Sequence, residues 1–167
     1  MEITSITSFL YYYERIRERT NSLVNIIPPD KMDFAYMAGK FTIADMLRHI
    51  AGIERYMFVE TVCGRKSAYS GCGKDLADGY ENVLYYFNRL HKNSVEILSR
   101  MTDEDLQKKC LTPGNTPIAV WKWLRAMVEH EIHHRGQLYI YLNMLGVKTP
   151  PMFGLTSEEV RERSIIQ

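Results

Sequence analysis

Long apolar runs are missing from this chain. No stretch approaches the ~18 consecutive apolar residues of a membrane-crossing helix, and the N-terminus has no basic segment leading into an apolar one, so neither a membrane span nor a secretory leader is expected. Cysteine is scarce. Cys63, Cys72 and Cys110 are odd in number and lack C-x-x-C spacing, which excludes a disulfide scaffold and a cysteine-based zinc site. Free thiols in a reducing compartment follow, and the expected location is cytoplasmic. A surplus of either charge is also absent: 21 Lys and Arg stand against 20 Asp and Glu, a formal net charge of +1. Nucleic-acid binding requires clustered basic charge, so none is expected. There is no internal repeat and no low-complexity segment.

What remains is ordinary globular composition, 46% hydrophobic and 25% charged in 167 residues, enough for one buried core and a single domain over 1–167. Helical periodicity fills four long segments. Ile6, Leu10, Tyr13, Ile16, Thr20, Leu23 and Ile27 form an apolar stripe over 3–27, ended by Pro28-Pro29. A second helix is predicted from an N-cap at Thr42, with Asp45 completing a near capping box, to about Cys63-Gly64. Ile43, Met46, Ile50, Ile53 and Met57 line its inner face. Residues 65–74, with Gly71 and Gly73, read as a surface loop. The third helix runs over 78–101, followed by a short capped turn at 102–106. The fourth starts at Thr116-Pro117, Pro being favoured at the first helical position, and ends at Leu145-Gly146. Beyond Pro150-Pro151, residues 157–160 form one more turn. No segment sustains strand alternation. The predicted fold is an all-α four-helix bundle with short extra helical turns.

The chemistry sits in His130-Glu131-Ile132-His133-His134. His130 and His134, four residues apart, project from one helix face and flank the stripe of Met127 and Leu138. Two imidazoles one turn apart on a buried face lose solvation and repel when protonated, and a shared cation offsets both penalties. His133 falls off that face. A third ligand must come from another helix, with His49 beside Met46 and Ile53 as candidate and His91 beside Phe87 and Ser94 as rival. The same residues match H-E-x-x-H, in which Glu131 would be the base of a metallohydrolase. That class takes a third ligand downstream of its motif, and no histidine follows His134.

With these residues in view, the chain resembles the DinB/YfiT-like family over essentially its whole length. The likeness is strongest in Phe41–Tyr56 (FTIADMLRHIAGIERY) and His130–Leu138 (HEIHHRGQL). It implies an up-down-down-up bundle, frequent homodimers, and a divalent metal on His49, His130 and His134. Zinc or nickel is favoured, with iron or manganese also within reach of imidazole ligands. It further implies a nearest functional model: metal-dependent transfer of a low-molecular-weight thiol, such as bacillithiol, onto an electrophilic small molecule. Glu131 is expected to orient a ligand or water, or else to pair with an arginine of a neighbouring helix. Tyr56 is expected to face the pocket, and the Gly71-Cys72-Gly73 loop to cover its mouth. Gly136, on the helix back, would admit a close backbone neighbour. The competing class is a non-enzymatic, stress-related bundle whose metal only stabilises the fold.

Overall fold

The computed structural model describes residues 2–165; Met1, Ile166 and Gln167 of the expected domain lie outside them. Helix α1 spans Ile6–Val24 and α2 spans Ile43–Gly52. The axis of α2 continues through a π-helical segment, Ile53–Val59, into α3, Glu60–Val62. Helix α4 covers Tyr80–Leu98, α5 Val120–Met144 and α6 Ser157–Ile165. Among the described residues no helix is long and apolar enough to cross a membrane, and Cys63, Cys72 and Cys110 are free.

The helix ends follow capping chemistry. Thr42 and Asp45 exchange backbone N–H bonds at 3.0 Å each, the reciprocal box that starts α2. Gly146, at φ 72°, ends α5, donating to Asn143 O while Val147 donates to Leu142 O. α1 starts at the first residue of its stripe, capped by Ser5 and with Asp103 accepting from the backbone N–H of Ile6 at 2.8 Å, and it ends at Val24, before Ile27. The predicted start of the last long helix is corrected. Pro117–Ala119 form β2, paired antiparallel with β1, Lys109–Leu111, and α5 begins only at Val120. The 112–116 turn between them holds Asn115 at φ 58° and is closed by Thr112 N–H donating to Thr116 O at 3.0 Å. Pro117 lacks a donor, and in a two-stranded ribbon it need not supply one inward.

A second correction concerns register. The π-helical turns carry more residues per turn than an α-helix, so the buried stripe moves along by a position. Phe58 and Val59 are buried, and Met57, expected inside, is only half-buried.

The core falls into two clusters that reveal the chain directions. One joins the end of α1 (Leu23, Val24) to the start of α2, the start of α4 and the end of α5 (Leu138, Leu142). The other joins the start of α1 (Ile6, Phe9) to the end of the second helical unit, the end of α4 (Leu98) and the start of α5 (Val120, Leu124). Thus α1 and α5 run together and the other two run against them, up-down-down-up. Between the clusters lies a polar layer of Arg17, Glu54, His91 and Glu131, with Thr20 and Ser94, all buried.

Candidate metal centre

The capped start of α2 places His49 on the side facing α5, and the middle of α5 supplies His130 and His134. One ring nitrogen from each of the three lies within 4.8 Å of the others. His49 Nε2 and His130 Nε2 face each other at 3.1 Å. Ring centroids are 5.0 Å apart for His49–His130, 4.8 Å for His49–His134 and 4.5 Å for His130–His134. Among the described residues no carboxylate or thiolate joins this group.

The donor set suits a divalent ion. Burial, with the charge of His134 second, holds His49 down at about 4. Burial, reinforced by the neighbouring imidazoles, holds His130 at about 3. His134 is lowered too, chiefly by burial. All three rings are therefore neutral near pH 7, the form that ligates. Two ligands on a tetrahedral ion at ~2.1 Å sit roughly 3.4 Å apart, close to the His49–His130 separation. His49, His130 and His134 could hold the ion, and a three-histidine set leaves positions open to other ligands.

Two neighbours orient these rings, and neither was visible in the sequence as a site residue. Tyr69 Oη lies 2.7 Å from His49 Nδ1. Gln137 Oε1 accepts from His134 Nδ1 at 2.7 Å, while its amide donates to His133 Nε2 at 3.0 Å. With Nδ1 occupied on both rings, Nε2 is left to ligate. Tyr69 comes from the 65–79 loop, which Arg48 staples to α2: the fully buried guanidinium donates to Cys72 O at 2.7 Å and Ala77 O at 2.8 Å and pairs with Asp45 at 2.5 Å. A Cβ at Gly52 would sit 3.1 Å from the Tyr69 ring, so the loop docks against bare backbone. Phe41 lies beside His49 and His134, with ring centroids 5.0 and 6.4 Å away.

Three expectations take another place. Glu131 does not reach the histidines. Its carboxylate accepts from Thr20 Oγ1 at 2.6 Å and pairs with Arg17 Nη2 at 3.0 Å, the arginine alternative allowed by the sequence. Tyr56 is carried by the π-helical turn to a cleft with Arg89 and Asn93 of α4, its carbonyl accepting from Ala68 N–H at 2.8 Å. The rival ligand His91 sits in the polar layer, its Nδ1 2.9 Å from Glu54 Oε1.

Beside His134 opens a groove of about 560 Å³, walled by Tyr36, Phe41, Tyr141 and Met144. An up-down-down-up bundle with an open three-histidine cluster of this kind defines a class of candidate metal-binding helical proteins. The chain belongs to the DinB superfamily, whose sequence profile matches residues 12–138. Among solved structures, it is similar to a DinB-like protein from Bacillus cereus ATCC 10987 (18% identity, TM-score 0.75, covering 89% of this chain and 97% of that one). It is also similar to YfiT from Bacillus subtilis, described as a probable metal-dependent hydrolase with an unusual four-helix bundle topology (15%, 0.66, 86% and 89%). A mycothiol-dependent maleylpyruvate isomerase shares the fold at 15% identity and TM-score 0.54, over 81% of this chain and 63% of that one. No curated protein matches the sequence.

Proposed function

We propose that this protein is a metal-dependent enzyme that joins a low-molecular-weight thiol to an electrophilic small molecule, with one divalent ion held by His49, His130 and His134. The observation that carries the proposal is the neutral histidine trio, one member of which, His134, lines a groove large enough for a small substrate. A bound divalent ion would supply Lewis-acid charge, lowering the pKa of a thiol from its usual ~8.5. The chain's own residues do the rest. Tyr69 and Gln137 hold the ligating rings, Phe41 shields them from water, and the groove walls orient the electrophile. Sulfur bonds to carbon, the thiol proton passes to solvent, and the leaving group departs with the bonding pair. No protein nucleophile is required.

YfiT's description as a metal-dependent hydrolase and the isomerase's dependence on mycothiol support metal chemistry and thiol chemistry on this fold. Hydrolysis is the second reading, because the same charge would activate water. A non-enzymatic bundle is the third, and the open groove weighs against it. A homodimer belongs to the proposal as well: Gly136 has nothing within 4 Å of where a Cβ would sit, on an exposed stretch of α5 beside Ile132.

Untagged protein, analysed for metal by mass spectrometry after loading with zinc, nickel or manganese, tests the reading together with thiol consumption against an activated aryl halide. One metal equivalent and metal-dependent conjugation, both lost in His130→Ala, are expected. Protein that stays empty overturns the metal site; turnover of an ester without thiol replaces transfer by hydrolysis.

A further inference from the structure

The groove beside His134 has a chemical character of its own. Its walls are aromatic and aliphatic: Tyr36, Phe41, Tyr141, Ile140 and Met144. Tyr36 and Tyr141 meet edge to face at 5.8 Å, and the Tyr141 hydroxyl donates to Phe41 O at 3.1 Å, tying the segment before α2 to the end of α5. The groove is therefore a built slot and not a gap between loose loops. Only one lining side chain carries a formal charge, Lys40, and no carboxylate lines the groove. Lys40 is presented at the rim by the turn at Gly39, whose φ of 76° favours glycine, with Lys40 N–H donating to Met37 O at 3.2 Å.

We propose that this groove selects small anionic electrophiles with a flat apolar body, typically an aromatic carboxylic acid that also carries the electrophilic carbon, the acid group on Lys40 and the body between Phe41, Tyr36 and Tyr141 beside His134. The proposal rests on the reading of the trio as a catalytic centre and names the substrate class that centre receives. A flat ring fills an aromatic slot through apolar burial and edge contacts. Among the described residues Lys40 forms no ion pair, so its ammonium group can meet a carboxylate, and a groove lined by no carboxylate does not repel one. Lys40 then acts as a specificity residue: it selects among flat molecules by charge.

Benzoate and its neutral analogue benzamide are the probes, titrated into metal-stripped protein so that a carboxylate has no ion to bind. Amide shifts of residues 39–41 and 140–144 in a ¹⁵N spectrum report occupancy. Benzoate is expected to bind about two- to fivefold more tightly than benzamide, the scale of a solvent-exposed ion pair. Lys40→Met should abolish that preference without changing benzamide binding, and Lys40→Arg should preserve it. Lys40 is exposed, so these variants keep the fold. Equal binding of the two probes, a preference that survives Lys40→Met, shifts confined to other regions, or no benzoate binding overturns the inference. A Lys40-dependent preference in protein that holds no metal on reloading would leave the groove standing and sink the metal reading alone.

Discussion

Glu131, one residue along from His130, turns its carboxylate to Arg17 Nη2, 3.0 Å away, and to Thr20, both on α1, and not to the histidine cluster. Arg17 also pairs with Glu54, whose second oxygen meets His91. Burial opposes the charge on Glu54, but Arg17 and His91 outweigh it and hold that carboxyl at about 2. This ionic layer lies between the two apolar clusters and draws on all four long helical units.

Removing its single guanidinium leaves two carboxylates facing each other in the core. Arg17→Met should destabilise the protein by about 3–5 kcal/mol, the scale for breaking a buried pair from one side. Glu131→Gln, which keeps a partner for Thr20, should be milder and should leave metal stoichiometry and turnover per folded molecule intact. Urea unfolding beside metal analysis separates these effects. Lost turnover in a stable, metal-loaded Glu131→Gln protein would restore the general-base role.

Tyr69 should matter to metal affinity without being a ligand. Tyr69→Phe removes the hydroxyl beside His49 Nδ1, and loss of such outer partners commonly weakens metal binding by about 10–100-fold. Gly52→Ala pushes on the same ring and should act in the same direction. Chelator competition measures both, and unchanged affinity in Tyr69→Phe would mean that the hydroxyl does not orient the ring.

The imidazoles also set a pH dependence. His49 and His130 sit at about 4 and 3 in the folded chain, against roughly 6.5 when unfolded. The unfolded state therefore binds more protons between these limits, and stability rises with pH across that window. Above about 6.5 the contribution is complete; it is lost as pH falls toward 4 and then 3. Glu54 adds its own acid loss only below about 4.3, so the slope between pH 5 and 6.5 belongs to the histidines. Urea midpoints of metal-free protein over that range should rise with pH, and the slope should flatten in a His49→Ala, His130→Ala double variant.

Gly136 separates a monomer from a dimer. If nothing packs there, Ala at 136 gains helix propensity and stabilises the chain by about 0.5–1 kcal/mol. If a second copy packs its helix on this stretch, Gly136→Ala should instead weaken self-association. Sedimentation velocity beside thermal unfolding of both proteins decides between them.

Much of this architecture was legible in the sequence because it follows local rules. The stripes of α1, α4 and α5, the Thr42–Asp45 cap and the Gly146 stop each depend on residues within a few positions of one another. The His130–His134 pair was legible for the same reason, since four residues along an α-helix is one turn. Where the local rules competed, they misled. Thr116-Pro117 has the composition of a helix start, yet pairing with Lys109–Leu111 claims Pro117–Ala119 for a strand.

The sequence by itself determined the helices, their polar and apolar faces, and the nomination of His49, His130 and His134. Tertiary structure brought His49 beside His130 and His134 and placed His91 against Glu54 instead, a difference that only packing reveals. It decided the fate of Glu131, which depends on where Arg17 of another helix arrives, and that of Tyr56, which depends on a π-helical turn that shifts register without a sequence signal. It also brought Tyr69 to His49, twenty residues along the chain, through a loop that the buried Arg48 ties to α2. Periodicity along one helix says which way a side chain points; what it meets there is settled by the other chain segments that fill the same space.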